Sequence, residues 1–267
     1  MFTYTHALLI CIITDACFAA SPLILPSTKK TPIKLYAIYT PSHEILVNTY
    51  FLPSLKKYNN FDITLVLQPQ ECPSAVFKSQ GWTKTTRKKV DLIIQAIDEN
   101  WGDMFVFSDV DIQFFAPIEQ LIPTLMEGYD LRIQRNAPGD KPCTGFFICR
   151  ANKKTRALWC DVRQYMEECT QVSDQLSFIR CLLGCNPYHG TRNPYTIRWD
   201  YLPDMFFSAG TLEAKQWKPG QKLRTPHKIV LHHANWTTGI DNKIAQLTYV
   251  EKLVRYGKIV PYSRATF

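Results

Sequence analysis

Alternation between β-type and helical segments limits the fold of this chain more than any other sequence feature. Stretches rich in β-branched and aromatic residues cover 33–39, 61–67 and 104–108. Between the last two, apolar residues recur every three to four positions over 83–101, which predicts a helix. The stretch 104–108 is apolar at almost every position, as expected for a strand that is buried on both faces. The pattern predicts an α/β fold with a mainly parallel central sheet flanked by helices.

The remaining elements follow from the same patterns. A helix is predicted from Ser42, as its N-cap, to Tyr58, with a bend at Pro53. Further along the chain, the sequence predicts strands at 130–135, 145–150, 195–200 and 228–232 and helices at 153–168 and 173–184. We find no internal repeat and no low-complexity tract.

The N-terminus differs in composition from a globular domain. Residues 1–20 contain an apolar run that ends in small residues, as a signal peptide does, and the run is shorter than the ~20 residues of a comfortable membrane span. Three prolines in 21–32 indicate a linker. We therefore expect a signal peptide or weak membrane anchor at 1–20, a linker at 21–32 and a single domain at 33–267. The protein would then be exported, membrane-associated or in the secretory pathway, and cytoplasmic if the leader is not functional.

Charge and cysteine content exclude some partners. The chain has 31 Lys and Arg against 23 Asp and Glu, which gives a formal net charge of +8. The basic residues are scattered and form no nucleic-acid motif, so no nucleic-acid partner is predicted, and membrane association is expected only through the N-terminal segment. No cysteine pair has Cys-x-x-Cys spacing, so a zinc site is not predicted. In an oxidising compartment disulfides are plausible, whereas in the cytosol these residues would be small core side chains.

Two aspartates directly follow the most apolar strand. Asp109 and Asp111 are two positions apart, so in an extended chain both carboxylates face the same side. In sheets of this type, ligands bind at the carboxyl ends of the strands. Two carboxylates there suit Mn²⁺ or Mg²⁺, and such an ion can neutralise a leaving diphosphate. The simpler interpretation is a polar turn, but two acidic groups beside so apolar a strand are costly unless they are paired or bound to a metal.

A histidine pair far along the chain offers a third metal ligand. A neutral imidazole from His232 or His233 can complete an Mn²⁺ shell, and Lys243 can pair with phosphate as a point charge. Neighbouring side chains on a strand point to opposite faces, so only one of the two histidines can face the site. Asn235 begins a glycosylation sequon, but its place inside this predicted site disfavours modification.

Two shorter motifs are less specific. Thr144-Gly145 precedes an apolar strand, where the glycine either allows a close approach of the backbone to a ligand or simply forms a turn. Ser173-Asp174-Gln175 opens a predicted helix, and one of the first two residues is expected to be its N-cap. Asp174 or Gln175 could instead direct its polar group at a sugar.

The ordered set of motifs resembles the nucleotide-diphospho-sugar transferases of the A-type glycosyltransferase (GT-A) fold, which is Rossmann-like. The resemblance covers roughly 33–255, and its elements in chain order are Tyr39-Thr40, Lys89, Ser108-Asp109-Val110-Asp111, Thr144-Gly145-Phe146-Phe147, Ser173-Asp174-Gln175, His233-Ala234-Asn235-Trp236, Gly239 and Lys243.

The resemblance implies a hexosyl- or pentosyltransferase that uses a nucleotide-sugar donor, with UDP as the expected nucleotide, and Mn²⁺ or Mg²⁺. It implies Asp109, Asp111 and His233 as the metal ligands, because the His-Ala-Asn-Trp motif aligns on the second histidine. It places Asp174 and Gln175 at the transferred sugar as the catalytic candidates. The residues implied in donor binding are Tyr39, Thr40, Lys89, Ser108, Val110, Thr144, Gly145, Gly239 and Lys243.

Other classes of protein share part of this pattern. A metal-dependent phosphohydrolase or nucleotidyltransferase could use the same carboxylate pair, but the chain has neither a Walker motif nor a Gly-x-Gly-x-x-Gly loop. Loss of one metal ligand would favour a non-catalytic sugar-binding module, yet all three candidates are present. The expected acceptor is a glycan, a protein or a lipid. If the reaction inverts the anomeric configuration, a carboxylate must act as general base, and Asp174 is the candidate.

Overall fold

The computed structural model describes residues 32–72, 81–136, 141–208 and 216–263. The predicted leader at 1–20 and nearly all of the linker at 21–32 lie outside these residues. The helices are α1 (Glu44–Leu46), α2 (Leu52–Tyr58), α3 (Trp82–Glu99), α4 (Ile122–Leu125), α5 (Lys153–Glu168), α6 (Asp174–Leu182) and α7 (Ile240–Arg255). Within the described ranges, no helix combines the length and the apolar character needed to cross a bilayer.

In the described residues, eleven strands accompany these helices. They are β1 (Lys34–Tyr39), β2 (Asp62–Leu67), β3 (Met104–Ser108), β4 (Ile112–Phe114), β5 (Leu131–Asn136), β6 (Lys141–Arg150), β7 (Trp199–Tyr201), β8 (Phe206–Ser208), β9 (Lys228–Ile229), β10 (Leu231–His233) and β11 (Val260–Pro261). β9 and β11 form a separate two-stranded sheet.

Six strands form the central sheet, in the order β2-β1-β3-β6-β5-β7. β1 runs parallel to β2 and β3, and β5 runs parallel to β7. β6 is antiparallel to both of its neighbours, β3 and β5. Every strand except β6 therefore points the same way, and the predicted mainly parallel sheet flanked by helices is confirmed.

The apolar character of β3 has a simple structural cause. Phe105 and Phe107 contribute to the core on one face of the sheet, which includes residues of α3, α5 and α6. Val106, between them, belongs to the core on the opposite face. The ring of Phe107 stacks on Phe147 of β6, with 5.4 Å between the ring centroids. Burial on both faces fixes the direction of β3 and thereby the position at which Asp109 leaves it.

A second sheet, in the order β4-β10-β8, brings the late part of the chain to the end of β3. β10 is antiparallel to β4, and His233 pairs with Ile112 in this register. The N–H of Ala234 donates to the carbonyl of Asp111 at 2.9 Å, which extends the pairing past the last ladder position. His233 therefore lies beside Asp111 although the two are far apart in sequence.

The segment predicted as one helix from Ser42 consists of shorter pieces. A 3₁₀ turn, Pro41–His43, starts it with Thr40 as N-cap and no side-chain cap, so the Ser42 cap is wrong. After α1, a π turn at Val47–Phe51 leads into α2. Pro53 has no N–H to donate and its ring crowds the carbonyl four residues earlier, which favours a wider turn at this place.

Some elements in the second half differ from the prediction. The strand expected at 195–200 is reduced to Trp199–Tyr201, and the one expected at 228–232 is split into β9 and β10. β4, β8, β11, α4 and α7 were not predicted. The missed α7 buries only a narrow face, formed by Gln246, Leu247 and Val250, so its apolar periodicity in the sequence is weak.

Candidate active site

A cavity of about 530 Å³ opens at the carboxyl ends of β1 and β3. Its volume lies within the range of small-molecule sites, about 300–1,000 Å³. All but one of the predicted site residues line it: Tyr39, Thr40, Lys89, Asp109, Val110, Asp111, Thr144, Gly145, Asp174, Gln175, His233, Gly239 and Lys243. The exception is Ser108, which is fully buried and whose hydroxyl donates to the carbonyl of Asp109 at 2.9 Å.

Two carboxylates and one imidazole meet on the floor of this cavity. Asp109, Asp111 and His233 each offer a ligand atom, and these atoms all lie within 4.8 Å of one another. Nε2 of His233 is 3.2 Å from Oδ1 of Asp111. Hard carboxylate oxygens with one imidazole nitrogen fit a divalent cation such as Mn²⁺ or Mg²⁺. The donor set therefore matches the metal that the motifs implied.

The two histidines of β10 lie on opposite faces of the strand. His232 is fully buried and its ring stacks on Phe207, with 5.1 Å between the centroids and 25° between the planes. Burial lowers the pKa of His232 to about 3. Burial also disfavours the charged form of His233, but the carboxylate of Asp111 outweighs it and raises the pKa of His233 to about 10. At neutral pH only the histidine beside the carboxylates carries a second ring proton.

Lys89 joins Asp109 to a third carboxylate. This buried lysine of α3 places Nζ 2.9 Å from Oδ1 of Asp109 and 3.0 Å from Oδ2 of Asp174. Burial disfavours its charge, but the two carboxylates outweigh that effect and raise the pKa of Lys89. Burial and the nearby carboxylate of Asp111 raise the pKa of Asp109, while Lys89 opposes this shift. Lys89 is thus bound to the site's own acidic residues.

Lys243 is the cationic partner of Asp111, as Lys89 is of Asp109. It stands in the first turn of α7, forms an ion pair with the Asp111 carboxylate and donates to the carbonyl of Ala234 at 3.0 Å. Burial opposes ionisation of Asp111, but Lys243 and His233 outweigh it and hold its pKa well below the usual range. The N-cap of α7, Gly239, has φ of 87°, a backbone conformation that glycine adopts most easily, and it lets the helix start at the cavity wall.

Asp174 is held from two sides. Ser173 is the N-cap of α6, and its hydroxyl accepts the N–H of Leu176 at 3.0 Å, so an N-cap at this motif is confirmed. Because Ser173 caps the helix, the side chain of Asp174 is not needed as a cap and points into the cavity. There Thr144 donates its hydroxyl hydrogen to Oδ2 of Asp174 at 2.7 Å. Gln175, the next residue, is half-buried and lines the same wall.

Gly145 is required by the site itself. A Cβ at this position would lie 2.3 Å from Cε1 of His233 and 2.8 Å from Oδ2 of Asp109. Both distances are far below ordinary contact, so any side chain here would displace two of the three candidate metal ligands. The sequence left open a close approach of the backbone to a ligand or a plain turn, whereas the structure shows a close approach of the backbone to the side chains of His233 and Asp109.

Several cavity residues were missed from the sequence. His43 places Nδ1 3.1 Å from Oγ1 of Thr40, and burial lowers the pKa of His43. Oε1 of Gln70 accepts the N–H of Ser42 at 3.0 Å. Both residues follow the carboxyl ends of β1 and β2, so the rule that located Asp109 could have located them. Trp82 and Asn136 also line the cavity, and nothing in their sequence context indicates it.

Comparison with known proteins identifies the family of this chain. The nucleotide-diphospho-sugar transferase family matches residues 56–247, a span that contains all three candidate metal ligands and both lysines. The chain belongs to this family and is a nucleotide-sugar glycosyltransferase. Among curated proteins no relative matches its sequence.

The solved structures that resemble this chain are distant in sequence. A glycosyltransferase involved in the glycosylation of the major capsid of PBCV-1 has a TM-score of 0.52 at 13% identity, over 83% of this chain and 99% of that chain. Mouse xyloside xylosyltransferase 1 has a TM-score of 0.47 at 11% identity, over 78% and 99%. The glycosyltransferase GlyE of Streptococcus pneumoniae has 0.44 at 14%, over 66% and 46%. The first of these likenesses shows the GT-A fold.

Proposed function

We propose that this protein transfers a hexosyl or pentosyl group from a UDP-sugar to a hydroxyl of a glycan, protein or lipid acceptor, in a reaction that depends on Mn²⁺ or Mg²⁺. One observation carries the proposal: Asp109, Asp111 and His233 converge within 4.8 Å on the floor of a cavity at the strand ends. Membership of the family supplies the class of donor.

The charges of the site support a cation and a diphosphate together. Three carboxylates, those of Asp109, Asp111 and Asp174, face the ammonium groups of Lys89 and Lys243. Once His233 has given up its second ring proton to make room for a metal, these carboxylates and ammonium groups keep a net negative charge. That charge favours a divalent cation, and the bound cation would in turn favour a diphosphate. Asp109, Asp111 and His233 would hold the cation, which when bound neutralises charge on the leaving diphosphate. Lys243, on the cavity wall, would add a second positive charge there.

The other residues that line the cavity are given proposed donor contacts according to their position around the three candidate metal ligands. Tyr39 and Thr40, at the end of β1, would contact the nucleoside. Val110, Gly145 and Gly239 line the cavity and would border the diphosphate, and Asp174 with Gln175 would contact the transferred sugar. Transfer breaks the bond between the anomeric carbon and the diphosphate oxygen, and a new bond forms to the acceptor oxygen, which loses its proton.

Asp174 suits an orienting role on the sugar side. Lys89 and Thr144 fix its carboxylate at 3.0 and 2.7 Å, so it cannot turn away from the cavity. A fixed carboxylate holds a sugar hydroxyl in one geometry, and well-oriented reactants supply much of the rate enhancement of enzymes. In an inverting reaction the same carboxylate would accept the acceptor proton.

A donor screen tests the proposal directly. Purified protein is incubated with a panel of nucleotide-sugars and Mn²⁺, Mg²⁺ or EDTA, and the nucleotide and sugar products are separated. We expect UDP and free or transferred sugar with a UDP-sugar and metal, and neither product in EDTA. UMP with sugar 1-phosphate would instead indicate a phosphohydrolase, because the diphosphate bond would then have broken. No turnover of any donor, with binding intact, would indicate a non-catalytic module.

A further inference from the structure

A fully buried glutamine lies directly behind His233. Gln134 of β5 stands where the pairing of β5 with β6 is irregular: Ile133 pairs with Phe147, but Gln134 pairs with Cys143. Residues 144–146 of β6 have no partner on β5 as a result. Irregular pairing of this kind re-aims side chains near active sites. Here it brings both Gln134 and Cys143 to the imidazole of His233.

The orientation of the Gln134 amide is fixed by its second partner. One end of the amide is 3.0 Å from the carbonyl oxygen of Phe206, which can only accept a hydrogen bond. That end must therefore be the NH₂ group. The other end, 2.8 Å from Nδ1 of His233, must then be the carbonyl oxygen Oε1.

This orientation determines which nitrogen of His233 keeps its proton. Because Oε1 can only accept, Nδ1 of His233 must carry a hydrogen to satisfy it. When the ring is neutral, it can therefore offer a lone pair only at Nε2, the atom that lies 3.2 Å from Oδ1 of Asp111. Cys143, with Sγ 3.7 Å from Nδ1, adds only a weak contact at the same position. In the metal-free protein Asp111 favours a second proton on Nε2, and that is the proton which a metal would replace.

We propose that Gln134 is a positioning residue for metal binding: it holds the His233 ring in place and keeps the proton on Nδ1, so that Nε2 is the ligand atom. The inference rests on the proposed metal-binding role of His233. Partners of this kind typically change metal affinity about 10- to 100-fold when they are removed. Gln134 does not line the cavity, so its effect acts through His233 alone.

The test is an Mn²⁺ titration of the free protein, followed by electron paramagnetic resonance, for the wild type and two variants. Gln134→Met keeps the size of the side chain but removes the acceptor, and we expect a dissociation constant about 10- to 100-fold higher. Gln134→Glu keeps an acceptor at Nδ1 but cannot donate to Phe206. We expect it to retain Mn²⁺ affinity and to lower Tm. Electron spin echo modulation from a coordinated imidazole nitrogen should persist in Gln134→Glu and weaken in Gln134→Met.

Gln113→Met is the matched control. Gln113 is a buried glutamine of β4 that pairs with His232 instead of His233 in the β4–β10 register, so Mn²⁺ affinity should be unchanged. Equal affinity and nitrogen modulation in the wild type and Gln134→Met would overturn the inference and leave the metal site standing. Loss of affinity in a folded Gln134→Glu would also overturn it. If the wild type binds no Mn²⁺, the proposed metal dependence fails and this inference fails with it.

Discussion

At the scale of single residues, each carboxylate that follows β3 has its own cationic partner, Lys89 for Asp109 and Lys243 for Asp111. We predict that Asp109→Asn and Asp111→Asn each abolish transfer and leave the fold intact. Each removes a charged metal ligand, and the lost stabilisation of the diphosphate should cost several kcal/mol, or at least ~100-fold in rate. Rates are measured at saturating Mn²⁺, with circular dichroism to check folding. A wild-type rate in either variant would refute the assignment.

Substitution of the two neighbouring histidines should have different effects, one on metal binding and the other on stability. We predict that His233→Ala sharply raises the Mn²⁺ concentration needed for activity, because it removes a ligand. His232→Ala should leave the Mn²⁺ requirement unchanged and lower the free energy of unfolding by roughly 2–4 kcal/mol, because it leaves a cavity beside Phe207. Mn²⁺ titration of activity and urea unfolding of both variants measure the two effects. The reverse pattern would show that His232 is the ligand.

At the scale of elements, β6 contributes to the site through the absence of a side chain. We predict that Gly145→Ala weakens Mn²⁺ binding and transfer together, because its methyl group would meet His233 and Asp109. Overpacking of this kind also costs about 1–3 kcal/mol of stability. Isothermal titration with Mn²⁺ and thermal unfolding measure both. If the alanine variant binds Mn²⁺ as the wild type does, then the ligand side chains have room to move and Gly145 is not required.

The elements also show what the sequence could reveal and what it could not. β3 is apolar at almost every position, and α3 and α5 carry long, periodic apolar patterns. The bounds of all three agree with prediction to within about two residues. β4 and β8 have only three residues each, too few to show a period, and they exist because they pair with the distant β10.

The residues of the candidate site also differ in whether the sequence could reveal them. Asp109 and Asp111 could be located because they follow a recognisable strand. Gln134 could not, because its importance depends on an irregular register between β5 and β6. A register of this kind is decided by tertiary packing and leaves no local signal.

At the scale of the whole molecule, the N-terminal segment should be separable from catalysis. The chain from Pro32 onward forms one compact unit with its own apolar cores. We predict that a protein starting at Ser21 is soluble and transfers sugar at the full-length rate, since residues 1–20 would serve export or membrane attachment only. Activity and sedimentation of the two proteins are compared. An insoluble or inactive truncated protein beside an active full-length one would contradict both the predicted boundary and the proposed location.

The pairing of β10 with β4 has a consequence for the order of folding. Asp109 and Asp111 belong to the first half of the chain, whereas His233 and Lys243 arrive from its last quarter. Contacts between segments so far apart form only after a large loop has closed. A chain emerging from the ribosome therefore carries two of the three candidate ligands, without the third, for nearly half of its synthesis. The proposed capacity to bind a metal and a nucleotide-sugar together would arise only when β10 has docked against β4.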